Sequence, residues 1–428
     1  MKQSCYFNHT QAFMKKTIFK FLNFKSLNFF RMKRLFLLFL ITVLTTGCSS
    51  DRKTRGGLPF IDVRKNYPVK EIILTDMADV TYLHLNTDND DFLYNSTINC
   101  MTENTIVVCD YISGSILFFS KDGSPKTFFN HKGGGPKEYT GIRQISYDET
   151  ADDVFVLSFG NPEILLVYSS SGEYKRTLVL PQGTYINPFI SFDDESLFIY
   201  NSRADFKKAA LDEQDLPVDL FYEPFVRVSK ENGEILDCIE LPNNKIILRD
   251  ERDIQGRRGV MGRTSRFIKC KEGLLLCNPE TDTVFLYRKD KSLTPIICKT
   301  PLVSDLDPMV YMNNCIDAGR YQFMEVFTVR WEEGSFPFPV RYFVRDKKTG
   351  EIFRQKIVLP EYQGKEFIIS PLQTGNDYEN GPWFELDLIE LKEAYDDNRL
   401  SGKLKELVAT LNEDEDNNVF MFVNFKQD

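Results

Sequence analysis

The sequence predicts an all-β fold, a six-bladed β-propeller of four-stranded blades with a short C-terminal helical insertion before the closing strand. The first observation is a repeat, because five segments each contain an apolar strand, a turn and a second strand. These segments are residues 115–128, 164–178, 225–241, 283–296 and 341–359. Their turns lie roughly 50 to 60 residues apart, and a period of this size is typical of repeat architectures.

The turns themselves are the second observation. Four of them place a glycine after a small or polar residue. A tight hairpin turn requires positive φ at one or two positions, and glycine adopts positive φ without steric cost. The four pairs are Asp122-Gly123, Ser171-Gly172, Asn232-Gly233 and Thr349-Gly350.

The third observation is that the strands are apolar at consecutive positions, as in ILFF, ILLVY and VFLY, instead of alternating. Such runs are typical of sheets that are buried on both faces. Blades stacked around a propeller axis bury their sheets in this way. Repeat, turns and strands therefore predict the same architecture.

The predicted blades follow one another along the chain. The first five cover residues 98–129, 142–179, 189–241, 266–299 and 316–359. The sixth is predicted to combine both chain ends, with the last strand at 419–425 pairing with the early strands at 69–74 and 80–85. Closure by both termini removes the exposed edges that an open sheet would have.

Between the fifth blade and the last strand, residues 386–411 change to helical periodicity. We predict two short amphipathic helices, broken at Ser401-Gly402, that cover one face of the propeller. The apolar residues with this spacing are Leu388, Leu391, Tyr395, Leu404, Leu407, Val408 and Leu411.

The first 66 residues predict export. Residues 1–31 are interpreted as an over-long N-terminus, with the true start at Met32 or, alternatively, at Met14. Residues 32–47 read as a lipoprotein signal peptide, in which Lys33 and Arg34 precede an apolar stretch that is too short to span a bilayer. Residues 48–66 are polar and glycine-rich, which predicts a flexible tether before the propeller at 67–428.

Cys48 is the predicted lipidation site. The Thr-Thr-Gly sequence before it resembles the lipobox of bacterial lipoproteins, where the signal is cut before a cysteine that is then acylated. The alternative is an ordinary cleavable signal followed by a chance cysteine. The lipobox interpretation places the protein in the cell envelope, anchored to the outer membrane on either its periplasmic or its outer face.

Charge and cysteine content limit the partners further. The net charge of −9 and the pI of about 5.2 argue against a nucleic-acid partner, which would favour a basic face. Of nine cysteines, seven remain when Cys5 and Cys48 are set aside, so they cannot all form disulfides. We predict that most are free, buried thiols. Neither Cys-x-x-Cys nor histidine-rich spacing occurs, so no metal site and no cofactor are predicted.

A glycine-rich turn at 133–136 is predicted to be structural. A phosphate-binding loop requires Gly-Lys-Ser/Thr at the start of a helix, whereas Pro136 follows these glycines. We expect Glu138 to bond to amides of this turn and Tyr139 to pack beneath it.

No catalytic residue is predicted. Only His84 and His131 lie in the mature chain, too few for a histidine-based triad or a zinc site. Adjacent acidic pairs such as Asp152-Asp153 fit turns better than a glycosidase pair. Two tryptophans, at 331 and 383, are expected either to stack on a sugar ring or to pack on the helical cap.

The candidate binding residues lie in a long loop. The repeat is interrupted at 203–224, 243–264 and 331–339, and loops on one face of a repeat fold are the usual place for binding. The second loop contains Arg257, Arg258 and Arg263, which can pair bidentately with carboxylate or sulfate groups. The alternative is that this run of charges is simply solvated.

Three motifs in sequence order give a resemblance to a known family. They are TIVVCD at 105–110, SILFFSKDG at 115–123 and HKGGGPKEY at 131–139. With the opening VKEIILTDMADVTYLHLNTDND and the closing LKELVATLNEDEDNNVFMFVNF, they resemble the six-bladed β-propeller lipoproteins of Bacteroides-type gut bacteria. The chain departs from that pattern at Lys137, where glycine is common, and at Asn418, where proline is common. The resemblance covers residues 67–428 and implies the fold, not an activity.

We therefore expect a non-enzymatic, lipid-anchored propeller at the outer membrane that binds a carbohydrate, a peptide or a partner protein. The alternative is a glycan-active lyase or hydrolase that uses the propeller channel as its cleft. A third interpretation is a sensor or scaffold within an outer-membrane transport complex. The lack of a histidine-rich or metal-binding pattern in the sequence favours the first.

Overall fold

The computed structural model describes residues 54–55, 57–87, 90–205, 220–242, 265–278, 281–329, 339–372 and 381–426. The chain divides into two compact units, residues 1–55 and 56–428. In the first unit the described part is the short strand β1 (Thr54–Arg55). The second unit contains all the elements that follow.

The second unit starts with three strands and a single helical turn. They are β2 (Leu58–Asp62), β3 (Val69–Ile73), α1 (Leu74–Met77) and β4 (Ala78–His84). A 3-10 turn at Asp90–Phe92 then leads into the first blade.

Blades 1 to 3 are four-stranded antiparallel sheets with the strands in chain order. Blade 1 contains β5 (Ile98–Met101), β6 (Thr105–Asp110), β7 (Ser115–Ser120) and β8 (Pro125–Asn130). Blade 2 contains β9 (Ile142–Asp148), β10 (Asp153–Ser158), β11 (Ile164–Tyr168) and β12 (Tyr174–Val179). Blade 3 contains β13 (Ile186–Ser191), β14 (Ser196–Asn201), β15 (Phe225–Ser229) and β16 (Ile235–Ile239).

Blades 4 and 5 have the same four-stranded core with additions at the outer edge. Blade 4 contains β17 (Phe267–Cys270), β18 (Gly273–Cys277), β19 (Thr283–Tyr287) and β20 (Leu293–Thr300), and a 3-10 turn at Val303–Asp305 follows it. Blade 5 contains β21 (Val310–Ala318), β22 (Tyr321–Thr328), β23 (Val340–Asp346), β24 (Ile352–Val358) and the short β25 (Glu366–Phe367).

Blade 6 closes the ring with strands from both chain ends. It contains β26 (Trp383–Leu386), β27 (Val419–Phe425) and β4, in that order, as the paired strands of the described residues. Val419 pairs with His84 and Phe425 with Ala78, so β27 matches β4 along its whole length. The predicted six-bladed propeller and its closure by the C-terminal strand are confirmed.

The N-terminal strands differ from the prediction in two ways. β2, within the predicted tether, pairs in parallel with β20 at the edge of blade 4, so regular structure begins before Tyr67. β3, predicted to pair with the last strand, pairs in parallel with β24 at the edge of blade 5 instead. The segment from β2 to β4 therefore joins blades 4, 5 and 6 in turn and covers two sheet edges that would otherwise expose unpaired backbone groups.

Burial follows the sequence pattern. The second and third strands of blades 1 to 4 are almost continuously buried, as in β6 and β18, where every residue is buried. The fourth strands β8, β12 and β16 alternate or face solvent. Apolar runs therefore mark the middle of each blade, where both faces of the sheet contact neighbouring blades.

The core consists of layers between adjacent blades. Separate apolar clusters join blades 1 and 2, 2 and 3, and 3 and 4, while the largest joins blades 4, 5 and 6. A further cluster joins blade 6 to blade 1 and includes Trp383, Phe420 and Phe119. Trp383 is 4% exposed, so it packs internally and does not present a face to a sugar. Trp331 lies outside the described residues.

Two hairpin glycines explain how neighbouring blades approach each other. Gly123 in blade 1 has φ +87°, and a Cβ there would lie 2.2 Å from the His84 carbonyl oxygen at the end of β4. Gly233 in blade 3 has φ +78°, and a Cβ would lie 2.9 Å from the Val179 carbonyl oxygen of blade 2. These turns require glycine for the φ value and also for contact with the preceding blade.

The helical insertion lies between β26 and β27, as predicted. It consists of α2 (Leu388–Asp396) and α3 (Gly402–Val408). Asp387 caps α2 by accepting a hydrogen bond from the Glu390 amide, and the buried Leu391 and Leu404 pack into the largest apolar cluster. The predicted break at Ser401-Gly402 is confirmed, since α3 begins at Gly402.

Candidate functional site

The antiparallel order of the strands separates two faces of the propeller. The first and second strands of blades 1 to 5 are joined by short turns on one side, which we call the turn face. The starts of the first strands and the ends of the second strands lie on the opposite side, which we call the loop face. Residues 206–219, 243–264, 279–280 and 330–338 lie outside the described residues, and the described strands that flank each of these segments end or begin on the loop face.

The predicted binding arginines belong to one of these loops. Arg257, Arg258 and Arg263 lie outside the described residues, as does the predicted lipidation site Cys48. The described residues next to the loops form a buried polar network, which we call the loop-stem network. It consists of Tyr200, Asp205, Ser265, Arg266, Asn278, Asn313, Glu325 and Ser370.

Arg266 is the centre of the first half of this network. Its Nη2 lies 3.3 Å from both carboxylate oxygens of Asp205, and its Nη1 donates to Asn278 Oδ1 at 3.1 Å. The guanidinium also lies 4.9 Å from the ring centroid of Tyr200, whose hydroxyl donates to Asp205 at 2.6 Å. Asp205 precedes loop 206–219, Arg266 follows loop 243–264, and Asn278 precedes loop 279–280. One buried arginine thus ties together the stems of three loops.

Glu325 is the centre of the second half. This carboxylate is 2% exposed and accepts hydrogen bonds from Asn313 Nδ2 at 3.1 Å and from the Ser370 hydroxyl. The Ser265 amide donates to Asn313 Oδ1 at 2.7 Å, and Ser265 adjoins Arg266, so the two halves are continuous. Glu325 lies on β22, which leads into loop 330–338, and Ser370 lies just before residues 373–380.

The bonding within the network indicates a structural role. Arg266 is already paired with a carboxylate, and Glu325 already accepts two hydrogen bonds within the protein. Buried, mutually bonded polar groups hold their neighbours in one arrangement, because an unpaired partner would carry a large desolvation cost. The network therefore fixes the described residues at the loop face of blades 3, 4 and 5.

Sequence reasoning missed most of this site. Arg266 is the first residue of the fourth predicted blade, Glu325 lies inside the fifth, and Asn313 lies between the two, and the sequence assigns none of them a binding or supporting role. A usable signal did exist, because a charged residue in the apolar run of β22 must find a partner when it is buried. The partner itself could not be identified from one sequence, since it comes from another strand.

The glycine-rich turn has the predicted structural role. Glu138 accepts a hydrogen bond from the Gly135 amide at 2.7 Å. Tyr139 is fully buried, and its hydroxyl donates to the Gly114 carbonyl oxygen at 2.7 Å. His131 stacks on Tyr168 with ring centroids 5.2 Å apart. These contacts connect the turns of blades 1 and 2.

His84 is a wall residue of the closing blade. Its Nε2 lies 3.4 Å from Asp416 Oδ1, and burial lowers the pKa of the imidazole while the Asp416 charge opposes that shift.

The seven described cysteines are free, and five of them, namely Cys100, Cys109, Cys277, Cys298 and Cys315, are buried, as predicted.

The described residues contain neither a group of side chains suited to a metal ion nor a helix suited to cross a membrane. No group of three or more histidine, cysteine, aspartate and glutamate side chains there has the arrangement of a metal site. In the same part of the chain, no helix has the length and hydropathy needed to cross a membrane.

Comparison with known families shows which family the chain belongs to. The family described as a domain of unknown function, DUF4934, matches residues 58–424. The chain belongs to the DUF4934 family. The match starts at the first residue of β2 and ends within β27, so this DUF4934 domain includes the edge strands and the closing blade. A search of curated proteins found no match to the chain.

Solved structures share the fold of this DUF4934 chain. A Bacteroides fragilis protein described as exported is 17% identical, with a TM-score of 0.55, and the match covers 84% of this chain and 99% of that one. Virginiamycin B lyase from Staphylococcus aureus is 12% identical, with a TM-score of 0.33, over 66% of this chain and 75% of that one. The first similarity shows the fold alone, and the second is too distant to support an argument.

Proposed function

We propose that the protein is a non-enzymatic, exported propeller that binds a carbohydrate, a peptide or a partner protein on its loop face. The loop-stem network is the observation that carries this proposal. It joins the described residues that flank several predicted loops, and a binding surface made of loops gains affinity when the residues at their ends are fixed before the ligand arrives. The charged groups of the network bond to one another, which suits a support better than a reacting centre.

We further propose that the ligand is acidic. Arg257, Arg258 and Arg263 belong to the loop that ends at Ser265 and Arg266, the point where both halves of the network meet. Arginine presents a planar fork of donors that matches the two oxygens of a carboxylate or sulfate. A polysaccharide with uronic acid or sulfate groups, or an acidic segment of a partner in a transport complex, has this chemistry.

Replacing Arg257, Arg258 and Arg263 together by alanine is expected to abolish binding of an acidic polysaccharide and to leave the melting temperature nearly unchanged. The reason is that loop side chains contribute donors to the ligand but little to the blade cores. Titration calorimetry with a sulfated and a uronate polysaccharide, combined with thermal denaturation, measures both effects.

A matched variant with lysine at the same three positions keeps the charge but loses the bidentate geometry. We expect it to bind with intermediate affinity, since a lysine ammonium is a point charge. Normal binding by the alanine variant would show that the loop is solvated and that the site lies elsewhere.

The proposed location is the outer membrane, through a lipid on Cys48. The support is the signal-like sequence at 32–47 and the cysteine that follows it. Cys48→Ala is expected to move the protein from the membrane fraction to the soluble fraction. Retention of this variant on membranes after a high-salt wash would contradict the lipid anchor.

A further inference from the structure

A groove on the turn face lies between the hairpin turns of blades 4 and 5. It has a volume of about 460 Å³ and extends to the end of β27 in blade 6. The turn at Lys271 and Glu272 forms one wall, and the turn at Ala318 and Gly319 forms the other. The loop-stem network lies at the opposite ends of the same strands, so this groove is separate from the proposed ligand surface.

The deep part of the groove is apolar. Leu275 and Leu286 are directly opposite each other on neighbouring strands of blade 4, and Ile296 extends the same surface to β20. Ile316 and Phe425 face them from blades 5 and 6. A volume of about 460 Å³ lies within the range of small-molecule sites, and the groove combines apolar side chains at its floor with charged groups at its rim.

The rim has one cation without a partner in the described part of the chain. Lys347 pairs with Asp317 at 2.5 Å, and Glu272 pairs with Arg288 at 3.3 Å. Lys271 is exposed at the mouth of the groove, and no ion pair with another described residue satisfies it. Glu272 is paired with Arg288, which lies outside the lining, so Lys271 is the rim charge for which the described residues supply no ion pair.

We propose that this groove binds a small carboxylate with an apolar or aromatic body. The body would lie against Ile296 and Phe425, the half-buried apolar side chains of the lining, where burial of apolar surface supplies the main driving force. The carboxylate would pair with Lys271 at the rim. An uncharged amide of the same shape keeps the apolar contact but loses the ion pair.

Cys270 provides a local reporter for the test. It is half-buried in the groove wall, whereas Cys238 is exposed elsewhere and the other described cysteines are buried. Burial raises the pKa of the Cys270 thiol, so its alkylation is slow and is best followed at alkaline pH. In the mature chain with Cys48→Ala and Cys238→Ser, the rate of Cys270 alkylation then reports on access to the groove.

The experiment measures this rate with increasing 3-phenylpropanoate and, separately, 3-phenylpropanamide. We expect saturable protection by the carboxylate, with the amide about tenfold weaker. Lys271→Met should remove the difference between the two probes and leave weak protection by both. Equal protection by the two probes in the unsubstituted groove, or no protection by either, would overturn the proposal.

A second variant tests whether the probe binds inside the groove. Ile296→Trp places a large ring in the groove from a half-buried position, and we expect slow Cys270 alkylation that no longer depends on the probe. Protection that persists unchanged in this variant would place the probe outside the groove. Because the loop arginines are intact in every variant, binding of acidic polysaccharide is unaffected, so failure here is distinguishable from failure of the proposed function.

Discussion

Deletion of residues 412–428 is expected to open the propeller and to give a protein that aggregates. The deletion removes β27, the strand that pairs with β26 on one side and with β4 on the other. It also removes four fully buried side chains, those of Val419, Phe420, Met421 and Val423. At about 1.5–3 kcal/mol for each buried apolar side chain, the loss is comparable to the whole stability of about 5–15 kcal/mol for a typical protein.

Size-exclusion chromatography and thermal denaturation measure this outcome. A control that lacks only residues 427–428 keeps β27 complete and is expected to remain monomeric with the melting temperature of the full chain. A monomeric truncation at 412 with an unchanged melting curve would show that β27 does not close the ring.

Replacement of Arg266 by methionine is expected to lower the free energy of unfolding by about 3 kcal/mol, the scale measured when one partner of a buried ion pair is removed. Methionine retains much of the apolar length of arginine but leaves Asp205 without its cation. It also leaves Asn278 Oδ1 without the donor at 3.1 Å. Urea denaturation measures the change, with the two unfolding curves fitted to one shared m-value, the slope of the free energy of unfolding against urea concentration.

The matched variant is Arg266→Met combined with Asp205→Asn. Because the carboxylate is then neutral, we expect it to recover part of the lost stability, and the double-mutant cycle gives the coupling between the two residues. We also expect the single variant to bind acidic polysaccharide more weakly, since the stems of three loops lose their common partner. Additive effects of the two substitutions would show that the pair does not act as a unit.

Much of the fold could be predicted because it depends on local sequence. The Asp122-Gly123 and Asn232-Gly233 turns determine where hairpins reverse, and the apolar runs between them determine which strands lie in the middle of a blade. The helical spacing at 388–411 likewise depends on neighbours three and four residues apart. These features are visible in a single sequence.

The edge strands and the loop-stem network could not be predicted because they depend on distant partners. Nothing local distinguishes β3 as an edge strand of blade 5 from a strand of blade 6, since either position accepts a short strand such as VKEII with apolar and charged residues. Arg266 and Asp205 are separated in sequence by the segments 206–219 and 243–264 and by the hairpin of β15 and β16. Their pairing follows from the stacking of two blades, which the sequence specifies only through the complete fold.

The central claim is that the loop face binds an acidic ligand without converting it. The most direct measurement titrates the wild-type protein and the Arg257, Arg258 and Arg263 alanine variant side by side with sulfated and uronate polysaccharides. The same samples are then assayed for new reducing ends and for unsaturated products. We predict binding by the wild type alone and no product in either sample; release of product by the wild type would contradict the account.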